Sequence, residues 1–392
     1  MKKIKIAHVI TRMIIGGAQE NTLLSVQGLK ELPIYEVDLI TGPAIGPEGN
    51  LLKYYQTNKI NIIFINELRR NINIFYDIMS FFKLFKLIKQ NKYEIIHTHS
   101  SKAGILCRLA AHFARCKVII HTIHGLPFHK YQNPILNYFF IFLERFVARY
   151  TDKIITVCPV MTKKALAVRI GKHTQYMTIY SGINTNYFKN IPGNINSDLK
   201  RQLGIPEEAF VIGKVARLFH LKGHKYLLPA AARVIKKYPV AYFLLVGDGV
   251  LNDELKSQAK RLKIEKNIIF CGLQTPDKIY QYINIMDIVV HLSLREGLPR
   301  VVPQAFFLEK PVIVYDIDGA KDIVDDGING YLIPPESIDL LSKKILFLIK
   351  NNDIRFKMGQ RGKRKALDIF PHTIMISKLD NLYRQLYFSK DG

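Results

Sequence analysis

Short runs of β-branched and other apolar residues alternate along the chain with longer segments whose apolar positions recur every three or four residues. Ile4–Ile10, Tyr35–Thr41, Ile62–Ile65, Ile95–Thr98, Val118–Thr122 and Ile154–Val157 read as strands in the first half. Phe210–Ala216, Tyr242–Val246, Ile268–Phe270, Ile288–Leu292 and Val312–Tyr315 read as strands in the second. Between them, Ala18–Lys30, Ser80–Gln90, Lys102–Arg115, His224–Tyr238 and Leu251–Leu262 carry helical periodicity. Strand alternating with helix calls for parallel sheets joined by right-handed crossovers. Uninterrupted apolar strands such as Val118–Ile120 and Ile288–Val290 fit sheets covered on both faces.

The alternation starts twice. Ile4–Ile10 leads through Gly16-Gly17 into a helix, and Phe210–Ala216 leads through a loop with Gly223 into another. Tyr187–Asp198 is polar and contains Pro and Gly, as a linker would. The expected architecture is therefore α/β, with two Rossmann-like domains over residues 1–185 and 195–370. A helical tail, Pro371–Phe388 within residues 371–392, is expected to pack back on the first domain.

Composition narrows the class. With 392 residues, 48% hydrophobic and 23% charged, the chain can bury a large core, which rules out disorder. Cys107, Cys116, Cys158 and Cys271 show no CxxC or metal-ligand spacing, so buried thiols in a reducing cytosol are expected. The first apolar run ends by Thr11 and Arg12, too short for a secretory core. Ile135–Val147 is the most apolar stretch, and Glu144 and Arg145 interrupt it. It falls short of the roughly 18–20 apolar residues of a membrane span, so a soluble or peripheral protein is expected.

Charge is the unusual feature: 57 Lys and Arg against 32 Asp and Glu give +25. Such an excess suits nucleic acid, a membrane surface or a phosphorylated substrate. Residues 1–190 hold 26 basic and 10 acidic side chains, net +16, and the remainder is +9. The many Ile, Asn and Lys residues also fit a lysine-rich compositional bias. No zinc finger, RNA-recognition signature or aromatic–basic stripe accompanies the charge, so nucleic acid is not an expected partner.

Five segments could carry chemistry. Gly16-Gly17 opens a helix whose first N–H groups could hold a phosphate, although a tight turn would use the same pair. Arg217 and Lys222 follow a strand, where open α/β sheets bind ligands; a guanidinium fork and a point charge together suit a diphosphate. Gly247-Asp248-Gly249 reads as a sharp turn. After Ile288–Leu292, Glu296 and Gly297 precede a helix expected near Pro299, with Gln304 about two turns on and Val301, Ala305 and Leu308 on its core face. Amides around Leu298–Val301 could bind an anion there, and Glu296 could accept hydrogen bonds from sugar hydroxyls. Finally, His97, His99, His121 and His124 stand at the carboxyl ends of strands; no acidic or thiol neighbour points to metal, and His124 beside Gly125 is placed to orient a substrate or move a proton.

Taken in order, these segments resemble a retaining, nucleotide-sugar-dependent glycosyltransferase of family 4. The resemblance runs from Gly16-Gly17 through His121–Gly125, Ser181–Asn184, Arg217 with Lys222-Gly223, Gly247–Gly249 and Phe270–Gly272 to Glu296–Ala305. It implies the GT-B fold, two Rossmann-like domains facing an interdomain cleft, with the acceptor on the first and the donor on the second. Arg217 and Lys222 would hold the donor diphosphate, with amides near Gly17 and Leu298. Glu296 would bond the transferred sugar, Gly272 and Leu273 would flank the base, and His124 would lie at the reacting centre. No metal or other cofactor is implied. Two positions depart from the family: Gln304 stands for a glutamate that bonds the ribose, and Ser181 for an asparagine. A Gln carbonyl still accepts a hydrogen bond, without charge assistance.

The expected reaction is sugar transfer, with UDP-sugar the expected donor, to a glycan or lipid-linked acceptor in cell-surface polysaccharide, lipopolysaccharide or glycolipid synthesis. A UDP-sugar epimerase of the same architecture and a nucleotide-sugar-binding pseudoenzyme are the alternatives. Phe81–Lys89 and Tyr138–Arg149 mix apolar bulk with cations, which suits an anionic membrane, so the expected location is cytoplasmic, peripheral on the inner face of the plasma membrane.

Overall fold

The computed structural model describes residues 3–46, 48–55, 59–188 and 195–390. The chain divides into two units, Met1–Gly182 with His372–Gly392, and Ile183–Pro371.

In the first unit the strands are β1 (Ile4–Arg12), β2 (Tyr35–Gly42), β3 (Asn61–Phe64), β4 (Ile95–His99), β5 (Val118–Ile123), β6 (Lys153–Thr156) and β7 (Tyr176–Thr178). They form one parallel sheet in the order β3-β2-β1-β4-β5-β6-β7. The twofold side-chain period divides β1 between two cores. Ile4, Ile6 and Ile10 pack with helices Gly17–Lys30 and His372–Phe388. Ala7 and Val9 face helices Ile74–Asn91 and Ser101–Phe113. Both faces are therefore covered, which explains the uninterrupted apolar strands.

The second unit repeats the plan. Its strands are β8 (Phe210–Val215), β9 (Ala241–Val246), β10 (Ile268–Phe270), β11 (Ile288–His291), β12 (Val312–Tyr315) and β13 (Gly330–Ile333), in the order β10-β9-β8-β11-β12-β13. In each sheet the strand order reverses once, between β1 and β4 and between β8 and β11. At such a switch point the flanking loops leave in opposite directions and open a crevice at the carboxyl ends of the strands.

Several elements differ from the sequence expectation. β7 and β13 are strands that the apolar pattern did not single out. Helix Ile74–Asn91 starts ahead of Ser80 because Asn73 caps it, its Oδ1 accepting the Tyr76 N–H at 3.0 Å. Ile74, Phe75 and Ile78 are exposed, so that first turn has no buried face to betray it. The second unit begins at Ile183, ahead of residue 195, because the Ile183 N–H donates to the Phe370 carbonyl at 2.7 Å. Of the expected linker Tyr187–Asp198, residues 189–194 lie outside the described residues, Tyr187 and Phe188 close a 3-10 turn, and 195–198 open helix Ile195–Gln202.

All four cysteines are free; Cys107 and Cys158 are buried, while Cys116 and Cys271 are only partly so. Burial pushes the Cys116 and Cys271 thiols up to about 12. No helix among the described residues is long and apolar enough to cross a membrane.

Helix His372–Phe388 belongs to the first unit although it follows the second in sequence. It packs so closely on Gly17–Lys30 that a Cβ on Gly28 would lie 1.9 Å from Ile376 Cδ1. It buries Met375, Leu379, Leu382 and Tyr383. At about 1.5–3 kcal/mol each, four such side chains supply about 6–12 kcal/mol, comparable with the ~5–15 kcal/mol that holds a whole domain. Ending the chain at Pro371 should therefore abolish the cooperative melting of the first unit and leave that of the second, as calorimetry would record. Two intact transitions in the truncated protein would show that the first unit folds without this helix.

Candidate functional site

In the second unit the site grows from the switch point between β8 and β11. Past β8, Gly223 adopts φ 74°, and a Cβ there would lie 1.9 Å from the Leu292 carbonyl oxygen, so only glycine lets this loop close on the end of β11. The Leu294 N–H then donates to the Leu221 carbonyl at 2.7 Å and ties the two loops together. Lys222 and Glu296 meet as a result: Nζ donates to Oε1 at 2.5 Å. His291 Nε2 lies 3.2 Å from the same Oε1, and Asp318 accepts the Glu296 N–H at 2.7 Å. Burial alone would raise the Glu296 carboxyl, but the Lys222 charge and the contact with His291 overcome it and hold the group well below the usual carboxylate range.

The neighbouring loops are laced to this one. Gly247, at φ 138°, approaches the Ala216 carbonyl so closely that a Cβ would lie 2.2 Å from it, and its N–H donates to Gly272 at 2.9 Å. The Leu218 N–H donates to the Asp248 carbonyl at 2.9 Å. Gly272 is itself left-handed at φ 66°, with Leu273 exposed beside it. Arg217 is exposed, with its guanidinium 5.0 Å from the Phe219 ring centre, and its carbonyl accepts from His224 Nε2 at 3.0 Å.

Beyond β11 the helix expected near Pro299 begins at Val301 and ends at Phe307. Gly297, Leu298 and Pro299 therefore form the turn before it, closed by the Val302 N–H donating to the Pro299 carbonyl at 3.0 Å. Val302, Pro303 and Phe306 are buried besides Val301 and Ala305, and Leu308 is half-buried. Gln304 is half-buried within the first turn rather than two turns along, because the helix starts later.

Sequence reasoning missed Lys214, which lies fully buried on β8 on the same face as Phe210 and Ile212. Its Nζ has no hydrogen-bond partner. Burial, reinforced by the Lys222 charge and opposed by Glu296, brings its pKa down to about 7. A lysine inside an apolar strand was the available signal.

The first unit gathers a second set. Gly16 caps helix Gly17–Lys30 in extended backbone, with φ 179° and no side-chain cap. A pocket at the ends of β4 and β5 is lined by Ala18, Ser100, His121, His124, Gly125 and Glu144. Arg108, fully buried, donates to the Glu144 carboxylate at 2.6 Å and to the Gly104 carbonyl at 2.8 Å. Gly104 in turn leaves room for His121, whose Cε1 would lie 2.5 Å from a Cβ there. His124 Nε2 lies 3.0 Å from His99 Nδ1.

Two profiles of sugar-transferring enzymes match the chain: Glycosyltransferase Family 4 over residues 15–187 and Glycosyl transferases group 1 over residues 196–365. The chain belongs to family 4 of the glycosyltransferases and has the GT-B fold. Among its relatives is an Escherichia coli UDP-Gal:alpha-D-GlcNAc-diphosphoundecaprenol alpha-1,3-galactosyltransferase, 29% identical over 99% of this chain and 98% of that protein. The capsular polysaccharide biosynthesis glycosyltransferase CapM of Staphylococcus aureus is 23% identical over 89% of this chain and 90% of its own length. Anabaena HepE, solved in complex with UDP-glucose, shares the fold at a TM-score of 0.82 with 23% identity, covering 97% of this chain and all of HepE.

Lys214 gives the site a pH signature. Its pKa falls from 10.5 in the unfolded chain to about 7 in the fold, so between those values the unfolded chain binds more protons and stability rises with pH. Lys214→Met should stabilise the second unit most at pH 7 and below, with the gain shrinking towards pH 10, as denaturant melts at a series of pH values would show. An equal gain at both ends would mean that the amine is not held uncharged.

Proposed function

We propose that this enzyme transfers a sugar from a UDP-sugar to a lipid-linked glycan, with retention of configuration, in the synthesis of a cell-surface polysaccharide or glycolipid. The observation that carries the reading is the Lys222–Glu296 pair at the β8/β11 switch point, where a cation and a carboxylate stand side by side. Lys222 and the exposed Arg217 take the donor diphosphate, a doubly charged group that two cations neutralise. The amides of Gly17 and Leu298 assist, with Gly16, Gly297, Pro299 and Val301 shaping their turns. Glu296, kept ionised, accepts from hydroxyls of the transferred sugar. Gly272 and Leu273 flank the base, and the Gln304 carbonyl accepts from the ribose. His124 serves the reacting centre.

The bond between the anomeric carbon and the diphosphate oxygen breaks as Lys222 and Arg217 stabilise the departing charge. The acceptor oxygen bonds to that carbon on the same face, and its proton passes to the leaving diphosphate. The names of the relatives support the substrates: the E. coli enzyme's name specifies UDP-Gal and a diphosphoundecaprenol acceptor, and HepE was solved with UDP-glucose.

A lipid-linked acceptor places the enzyme at the cytoplasmic membrane face. Helix Pro134–Ala148 leaves Ile135, Tyr138 and Phe142 exposed, and helix Ile74–Asn91 leaves Ile74, Phe75 and Phe82 exposed beside Lys83, Lys86 and Lys89. Exposed aromatic bulk with flanking cations suits insertion among anionic headgroups.

Lys222→Ala and Glu296→Ala should each lower kcat/KM for transfer by about 10²–10³-fold, the usual loss for one group that stabilises developing charge. Near-normal transfer by both variants with a verified donor would refute the assignment. Turnover of UDP-sugar without acceptor into an epimer, or nucleotide binding with no turnover at all, would select the rival activities. NMR of the product's anomeric proton reads retention directly. Co-sedimentation with phosphatidylglycerol vesicles should fall with salt and weaken in Phe142→Asp; absence of salt-sensitive binding would favour a soluble acceptor.

A further inference from the structure

Three fully buried imidazoles, His8, His97 and His99, gather at the β1/β4 switch point of the first unit. Register explains the gathering: His8 on β1 stands directly beside His97 on β4, and His99 is two residues further on the same face. Their nitrogens approach closely enough to hold a metal ion, yet every one already has a hydrogen-bond partner in the fold.

The partners form a single file. His124 Nε2 meets His99 Nδ1 at 3.0 Å, and His99 Nε2 meets His8 Nδ1 at 2.9 Å. His8 Nε2 meets the Tyr383 hydroxyl at 3.2 Å, and that hydroxyl also bonds His97 Nδ1. His97 Nε2 ends the file on Thr122 Oγ1 at 2.7 Å. Each ring enters the file in the same sense, Nε2 of one towards Nδ1 of the next. A neutral imidazole has one N–H and one bare nitrogen, and a hydroxyl has one proton. Each ring–ring contact needs one proton, so His124, His99 and His8 share a tautomer, all on Nε2 or all on Nδ1. The Tyr383 hydroxyl extends the match to His97 when it accepts from one ring and donates to the other, because accepting from both would leave its own buried proton without a partner in the file. A mixture among the first three rings sets two protons or two bare nitrogens against each other, and a mismatch at His97 strands the Tyr383 proton; either leaves an unpaired buried polar group that costs about 1–3 kcal/mol. Burial keeps the three core rings neutral, lowering His8 to about 3 and His97 and His99 well below their ordinary value.

We propose that His8, His97, His99, Tyr383 and Thr122 are positioning residues that hold His124 in one tautomer shared by all four histidines. The file thereby decides whether Nδ1 of His124, the ring nitrogen not turned to His99, donates or accepts at the pocket that His124 lines. The functional weight of this device rests on the proposed role of His124 in sugar transfer; the tautomer coupling itself does not.

Long-range nitrogen–proton NMR of the full chain labelled with ¹⁵N-histidine reads each tautomer. The four rings are expected to show the same protonated nitrogen. Opposite tautomers at His8 and His99 would overturn the proposal. Tyr383→Phe removes one oxygen from the file and keeps the ring in the core; it should shift the ring nitrogens of His8, His97 and His124 and lower kcat more than it raises KM. Unchanged His124 nitrogens alongside shifted His8 nitrogens would overturn the proposal, as would stoichiometric zinc uptake lost in His97→Phe. His99→Leu should move His124 further than Tyr383→Phe does, because it cuts the file at its last link. Full transfer activity in His124→Ala would sink the catalytic reading alone and leave the NMR result standing.

Discussion

The reversal of strand order at one point in each parallel sheet is the constraint on which the chemistry of this protein depends. Parallel strands need crossover helices, and crossovers on opposite faces leave a gap only where the direction of winding changes. In the second unit that gap lies between β8 and β11, and it places the loop carrying Arg217 and Lys222 against the loop carrying Glu296. In the first unit it lies between β1 and β4, and it lines up His8 with His97. The same topological event thus produces a charged pair in one unit and a neutral hydrogen-bonded file in the other.

The two outcomes differ because their surroundings differ. Lys222 and Glu296 keep about a fifth of their side chains exposed, so each charge is partly solvated and the pair survives as ions. The imidazoles at the other switch point lie beneath helix His372–Phe388, which supplies Tyr383 and shuts out water. A group whose charged form cannot be solvated gives up its charge and depends on exact proton matching with its neighbours. Lys214 is the same effect in a cation: inside β8, without a partner, it is driven towards neutrality next to an ionised Lys222–Glu296 pair.

Much of this was legible in the chain. The doubled start at Ile4–Ile10 and Phe210–Ala216, each followed by glycine and a helix, is a local pattern, and local patterns survive folding when both faces of a strand are apolar. Gly223 and Gly247 were recognisable as turn residues, although their real task, letting a carbonyl of another loop approach, is a tertiary one. The starts of helices Ile74–Asn91 and Val301–Phe307 were displaced because capping and a preceding turn decided them, not periodicity.

The sequence by itself determined the order of the elements, the two Rossmann-like beginnings, and the residue types available at each strand end. It could not determine which strand lies beside which. β1 and β4 are neighbours across more than eighty intervening residues, and Tyr383 reaches His8 and His97 from the far end of the chain. Spacing along the chain carries no record of such contacts, because hydrogen-bond pairing and packing act through space and are fixed only when the sheet closes. The pairing of Lys222 with Glu296 and the single file behind His124 are accordingly products of the tertiary structure.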